Sequence, residues 1–274
     1  MRYSSFFFLL FILACSIDPG TGNVNKQNNP EVYFANGLYK EKKPDSISYF
    51  DYSVDNKIYN QFNSFDYSFW YIENTDTFFF SIKEGDSDWE FTKQNEINER
   101  TILKIRLTPK PFATTFGLDY EQTIIQYDFI GKSDTIIVGG EQTGCVENFK
   151  NIWLHPTRSF LFKILEINPF PFIQAPYEVD NTWNGELKIG PYWSDPRWRV
   201  WEKSIINNYV YTIIDKVNLE TEIGNISCFV TEGKATSRLG NTYLTSWFNP
   251  VEGFIRMEYI NINKSKIIFE KKWL

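Results

Sequence analysis

The sequence predicts a mainly β protein built from antiparallel strands, on three observations. Apolar and polar residues alternate with a period of two in several separate stretches, the signature of strands with one buried face. Gly, Pro, Asn and Asp separate these stretches at short intervals, as turns do. Phe, Tyr and Trp make up 18 % of the chain, and aromatic residues favour a pleated, half-buried surface.

The first element is not a strand. Arg2 is followed by an unbroken apolar run from Phe6 to Leu13 and then by Ala14-Cys15. A bilayer-spanning helix needs about 20 residues, so the run has the length of a signal-peptide core. Ile12-Leu13-Ala14-Cys15 resembles a bacterial lipobox, in which a small residue precedes the cysteine that becomes the lipidated first residue. The expectation is a lipoprotein signal peptide over residues 1–14 and an acylated (palmitate-bearing) Cys15. The polar, Gly-, Pro- and Asn-containing stretch that follows gives a flexible tether over 15–30 and a single β-rich domain over 31–274. Ser16 is compatible, by the same resemblance, with the outer membrane of the cell envelope. Which face of that membrane the protein occupies stays open.

The strands are then read in order. Leu103, Ile105 and Leu107 alternate with Lys104 and Arg106 over Thr101–Leu107; Ile125, Tyr127 and Phe129 alternate with Gln126 and Asp128; Leu187 and Ile189 alternate with Glu186 and Lys188. Tyr209–Asn218 and Ile226–Glu232 follow, and Phe254–Ile262 and Lys266–Lys272 form a hairpin about Asn263-Lys264-Ser265. Helix is scarce, the best candidate being Thr157–Leu165, which follows His155-Pro156 and stops before Asn168-Pro169. Sheet, sandwich and barrel remain open on this pattern alone.

The last third carries a resemblance. Ala235 to Thr242, a small-residue stretch, leads into Trp247-Phe248-Asn249-Pro250 and then Gly253-Phe254-Ile255-Arg256-Met257-Glu258-Tyr259. Residues 141–274 so resemble lipoproteins of Bacteroidota whose C-terminal half is similar to the DUF3108/TapB group. That group is similar in architecture to the LolA/LolB lipoprotein carriers. The resemblance implies a curled antiparallel sheet, a half-barrel, with one or two short helices on its concave side, and an apolar or amphipathic ligand or an envelope partner held there. One fold hosts many functions.

Most catalytic templates are excluded. One histidine rules out HExxH and any multi-histidine metal site, and there is no GxSxG elbow. Gly131-Lys132-Ser133 lacks the earlier glycine of a phosphate loop and reads as a turn, and Gly139-Gly140 reads as part of a loop. A net charge of −6 gives no footprint for nucleic acid. The acidic turn Glu84, Asp86, Asp88, Glu90 lacks full calcium-loop spacing and reads as solvated. No cofactor and no metal are expected.

The candidate contact residues are His155, Arg158, Trp193, Arg197, Trp198 and Trp201. His155 near Arg158 and Glu166 is a base or ligand contact, or a histidine that hydrogen-bonds a loop, and the second is favoured. Trp183, Tyr192, Trp193, Trp198 and Trp201 around Arg197 and Arg199 are a stacking platform or an aromatic core, again with the second favoured. Phe170-Pro171-Phe172 lines a pocket mouth or plugs the sheet. Cys145 and Cys228 form one disulfide in an exported protein or remain two buried thiols. The favoured function is a non-enzymatic, membrane-anchored envelope lipoprotein binding a lipid-like ligand or a partner. The alternative is a surface glycan-binding lipoprotein with a Trp/Tyr platform, and an envelope hydrolase comes third.

Overall fold

The computed structural model describes residues 56–83, 88–110, 122–133 and 136–273, together with the backbone of two short paired strands, β1 (Tyr33–Ala35) and β2 (Leu38–Lys40). Cys15, the tether, and Glu84 and Asp86 of the acidic turn lie outside the described residues.

The domain is one large antiparallel sheet curled almost into a closed barrel. Its strands are β3 (Phe65–Glu73), β4 (Asp76–Ile82), β5 (Trp89–Lys93), β6 (Thr101–Ile102), β7 (Lys104–Lys110), β8 (Thr123–Ile130), β9 (Ile137–Glu147), β10 (Asn151–Leu154), β11 (Phe172–Gln174), β12 (Thr182–Ile189), β13 (Ile205–Thr221), β14 (Gly224–Ser237), β15 (Gly240–Asn249), β16 (Gly253–Ile260) and β17 (Lys266–Lys272). The path around the wall is β11-β10-β9-β8-β7-β3-β17-β16-β15-β14-β13-β12, with β4, β5 and β6 extending it beside β3. The two ends of this path are consecutive in sequence. They meet through side chains, with Phe172 edge-on to Trp183 at 5.5 Å and to Tyr211 at 5.4 Å. Closure removes most of the exposed edge that an open sheet presents.

The period-two pattern fixes which side chains face inward. On β13, Ile205, Asn207, Tyr209, Tyr211 and Ile213 are buried while Ile206, Asn208 and Val210 are exposed, up to the register shift between Ile213 and Asp215. Beyond this bulge Val217, Leu219 and Thr221 are only half-buried and Lys216, Asn218 and Glu220 exposed. Ile105 and Leu107 on β7 and Ile125, Tyr127 and Phe129 on β8 turn inward as predicted. The expected single strand Thr101–Leu107 is instead broken at Leu103. Thr101 and Ile102 pair with β4, Lys104 onward pairs with β3 and β8, and the Leu103 amide donates to Ile130 O at 3.0 Å between them. Gly139 and Gly140, expected in a loop, lie in β9. A Cβ on Gly140 would sit 2.7 Å from Tyr127 O, so glycine permits the close pairing with β8.

The lumen is filled. The short helix was expected over Thr157–Leu165 and is a 3-10 helix over Phe160–Ile167, lying inside the barrel with Leu161, Phe162, Ile164, Leu165, Glu166 and Ile167 buried. Phe162 meets Phe69 at 5.2 Å and Phe80 at 4.8 Å edge-on and stacks on Phe129 at 5.7 Å, arrangements that add to the burial itself. A cavity bounded by Tyr67, Tyr127, Met257 and Tyr259 among others is about 20 Å³. Two further 3-10 turns are Gln94–Glu96 and Pro191–Trp193.

Each end of the barrel has its own closure. At one end the loop after β12, residues 190–204, covers the helix. At the other, residues 56–63 form a strap with Ile58 and Tyr59 buried. Glu147 holds the strap by accepting from the amides of Lys57 at 2.7 Å, Ile58 at 2.9 Å and Tyr59 at 2.8 Å. Gly253 (φ +78°) passes beneath, where a Cβ would lie 2.9 Å from the Tyr59 hydroxyl.

The disulfide left open between Cys145 and Cys228 is not formed. Both are free, buried thiols on β9 and β14, with six strands of the wall between them along the sheet path. Among the described residues no helix is long and apolar enough to cross a membrane.

Candidate functional site

The predicted contact residues gather at the end covered by loop 190–204. This loop is self-braced. Asp195 and Arg199 exchange backbone hydrogen bonds at 2.9 Å each way, and Arg197 forks onto the Asp195 carboxylate, Nε to Oδ1 at 2.8 Å and Nη2 to Oδ2 at 2.7 Å. Burial opposes ionisation of Asp195, but the Arg197 hydrogen bonds and charge prevail and hold its carboxyl below the ordinary value. Asp88, from the acidic turn, lies 3.8 Å from Arg197 Nη1. One of the acids expected to be merely solvated thus faces this guanidinium.

Two of the tryptophans proposed for a surface platform point inward. Trp198 is 8 % exposed and Trp201 4 % exposed. Their indole N–H groups donate to Trp193 O at 3.3 Å and Gly190 O at 3.1 Å, so the polar edge of each ring is satisfied inside the loop. Trp183 is likewise internal, stacked on Tyr211 at 5.6 Å and 6°, and Phe170 and Phe172 are buried, so that segment plugs the sheet. What remains outward is Tyr192 and part of Trp193. Lys163 Nζ sits 4.6 Å over the Tyr192 ring, and the Arg158 guanidinium 5.4 Å over Trp193. The loop is thereby clamped to the internal helix by cation–π contacts.

Beneath this clamp the structure brings His155, Arg158 and Glu166 together, and adds Glu141, which sequence reasoning missed. Glu141 Oε1 accepts from the Thr157 hydroxyl and from the amides of Arg158 at 2.7 Å and Ser159 at 3.1 Å. Nothing local in the sequence marks Glu141; its role needs the register of β9 against the segment after β10. His155 Nδ1 lies 2.8 Å from Pro156 O. A carbonyl only accepts, so Nδ1 carries the proton and Nε2 presents a lone pair. That nitrogen is 3.4 Å from Glu166 Oε1, which is also 3.7 Å from Arg158 Nη1. Burial pushes the Glu166 carboxyl up to about 7 against the pull of Arg158. Burial, and then the charge of Arg158, push His155 down to about 3. Below about pH 7 these shifts describe a neutral histidine facing a carboxylic acid that retains its proton.

The open part of the site is a cleft of about 190 Å³ beside the loop. Tyr71, Phe91, Leu161, Ile164 and Trp198 supply apolar and aromatic walls, with Glu73, Arg197 and Asn263 as polar lining. Arg197 and Trp198 were singled out from sequence. Tyr71, Glu73 and Phe91 were not, because they come from β3 and β5 on a remote stretch of chain. Trp201 contributes packing and does not line the cleft. Among the described residues no group of three or more His, Cys, Asp or Glu is arranged to hold a metal ion.

No family model matches the chain, and no curated protein matches it in sequence. Among solved structures, the fold is similar to that of the hypothetical lipoprotein YmcC of Escherichia coli, with 11 % identity and a TM-score of 0.33 over 79 % of this chain and 88 % of that one. It is similar also to an exported protein with a YmcC-like fold from Bacteroides fragilis, with 9 % identity and a TM-score of 0.37 over 77 % of this chain and 95 % of that one. Neither likeness bears on activity.

Proposed function

We propose that this chain is an envelope lipoprotein, anchored through lipid on Cys15, that binds a small amphipathic ligand or the apolar side chain of an envelope partner in the cleft at Arg197 and Trp198. The observation that carries this reading is where the free volume lies. The cavity beside Tyr67, Tyr127 and Tyr259 holds about 20 Å³, about the room one water needs, whereas the cleft at Arg197 and Trp198 holds about 190 Å³. This supports placing the ligand at the loop-covered end, at the rim rather than on the concave face that the half-barrel resemblance implied. A mostly aromatic wall with one guanidinium and one carboxylate suits a molecule with an apolar body and a polar head. A binding role is favoured over catalysis because His155 is committed to Pro156 O and Glu141 to Thr157 and two backbone amides. Anchoring rests on the lipobox-like end of the signal sequence, and Ser16 favours the outer membrane.

Two measurements test this. Intact mass of the membrane-extracted protein should carry the diacylglycerol and acyl increments on Cys15, lost in Cys15→Ser. Titration with a short-chain anionic phospholipid monomer should change tryptophan emission. Arg197→Ala should weaken that binding about tenfold, or ~1.4 kcal/mol. Equal affinity in the variant, or no binding by the parent, rejects the cleft. Oligosaccharide binding that is lost in Tyr192→Ala and kept in Arg197→Ala would favour the glycan reading, for which Tyr192, 57 % exposed, is the remaining platform.

A further inference from the structure

The strap end of the barrel carries a group of exposed apolar side chains. Four turns there each present one large apolar side chain: Phe62 in the strap (87 % exposed), Phe149 between β9 and β10 (73 %), Ile223 between β13 and β14 (59 %) and Val251 between β15 and β16 (75 %). The strand registers place these turns at one end. Glu147 and Asn151 flank Phe149, Thr221 pairs with Gly224, and Asn249 pairs with Gly253. Ion pairs tie the turns to the end of β17, Glu252 with Lys271 at 2.8 Å and Glu222 with Lys272 at 2.6 Å.

Each turn is also built so that its backbone needs little water. Asn60 Oδ1 accepts from the Phe62 amide at 3.0 Å. Asn148 Oδ1 accepts from Lys150 and Asn151, and Asn249 Oδ1 from Val251 at 2.8 Å and Glu252 at 2.9 Å. The Thr221 hydroxyl oxygen accepts from the Ile223 amide at 3.3 Å. An apolar apex over internally satisfied amides is what a turn requires to enter a medium without water. The acids nearest these apexes are already occupied: Glu222 and Glu252 by lysines, and Glu147 by three strap amides. Val179, also exposed at this end, stands between Glu178 and Asp180.

We propose that this end is a bilayer-contacting face, in which Phe62, Phe149, Ile223 and Val251 enter the interfacial layer of the membrane. The proposal rests on the lipid-anchored reading for the membrane involved. Separate convex tips fit a fluid interface, which moulds around each one, better than a rigid protein surface, which needs a continuous complementary patch. The chain also enters the described barrel at this end, at Asn56 in the strap, about 40 residues after Cys15. A lipid at Cys15 would keep the domain near the surface, and the tips then act as a second, weak signal made effective by tethering. The opposite end also exposes apolar side chains, Tyr192 and Val200 on loop 190–204 and Ile136 and Ile137 at the β8–β9 turn.

The test uses the mature protein isolated from membranes and vesicles of phosphatidylethanolamine and phosphatidylglycerol. Cys145 and Cys228 are fully buried and lipidation caps Cys15, so a polarity-sensitive nitrobenzoxadiazole probe labels an introduced surface cysteine selectively; where intact mass finds the protein unlipidated, the same cysteines are introduced in a Cys15→Ser background. Probes at Phe62→Cys, Phe149→Cys and Val251→Cys should shift to the blue and brighten several-fold on vesicles, while one at Val200→Cys should not. Three positions guard against one variant folding poorly. Probes that stay water-exposed, or an equal shift at Val200→Cys, overturn the proposal. So does a shift that grows with protein concentration without vesicles, which gives the face to a second copy of the chain. Intact mass on the same samples separates the two readings. Lipidated protein with water-exposed probes keeps the anchor and rejects the face; unlipidated protein whose probes still shift keeps the face and rejects the anchor.

Discussion

Glu166 and His155 pull the pH dependence of stability in opposite directions. The folded pKa of Glu166 is raised from 4.5 to about 7 by burial. Its contribution is fully present below about pH 4.5 and is lost as the pH rises through about 7. The folded pKa of His155 is lowered from 6.5 to about 3, also by burial. Its contribution is present above about pH 6.5 and is lost as the pH falls toward 3. Each corresponds to about 1.4 kcal/mol per pH unit within its window, so between pH 4.5 and 6.5 the two offset each other. Relative to the parent, Glu166→Gln should therefore lose about 2–3 kcal/mol on acidification from pH 6.5 to 4.5. His155→Gln should instead lose a similar amount as the pH rises from 4.5 to 7. Urea unfolding of the three proteins across this range checks the signs, and a Glu166→Gln profile parallel to the parent's would remove the pairing. The same two residues show how far a local sequence can be read. His155, Arg158 and Glu166 fall within one short segment and were grouped from the sequence, whereas their protonation depends on burial by Phe170 and the helix, which only the fold supplies.

At the scale of elements, Glu147 is the latch of the strap. Hydrogen bonds to a carboxylate are worth roughly 1.5–3 kcal/mol each and are not additive, so Glu147→Ala should cost about 3 kcal/mol and expose residues 56–63 to limited proteolysis. Glu147→Gln, which keeps one acceptor, should lose less. An Ala variant as stable and as protease-resistant as the parent would make the strap independent of this carboxylate. The strands of the last third were the legible part of the fold. β17 has the bounds the sequence predicted, and β13, β14 and β16 contain or overlap the predicted runs, because one face of each is solvated and the period of two survives. β3 and β4 were not read from the sequence. β3 does carry a period of two, Phe65, Tyr67, Phe69 and Tyr71 against Asp66 and Ser68, a signal that sequence reasoning overlooked. In β4 the run Asp76–Ile82 is aromatic on both faces, and the consecutive residues Phe79, Phe80 and Ser81 are all buried, so alternation is erased. The internal helix begins later than predicted for a reason invisible locally. Glu141 takes the amides of Arg158 and Ser159, and Ser159, extended at φ −76° and ψ 140°, becomes the residue before the first turn.

For the whole molecule, the architecture implies a division of labour between wall, plug and ends. Antiparallel strands joined by short turns close a barrel large enough to hold a ligand, and this chain spends that volume on its own helix. Phe162 is the centre of the plug, fully buried and in ring contact with Phe69, Phe80, Trp89, Phe129 and Phe269. Phe269 also borders the internal cavity of about 20 Å³, so removing the Phe162 ring should join that space to a larger apolar void. Phe162→Ala is expected to cost roughly 3–5 kcal/mol. The void so made is of the kind that stays dry and takes up benzene or xenon. The parent should then show no change in thermal midpoint with saturating benzene, while Phe162→Ala should recover part of its loss by mass action. Recovery in both proteins would mean that the parent lumen already admits apolar guests, and the ligand site would return from the rim to the interior. Recovery in neither, with the full loss of stability, would mean that the wall collapses around the missing ring, so that the helix serves as the core of the barrel and not as a stopper in a preformed cup.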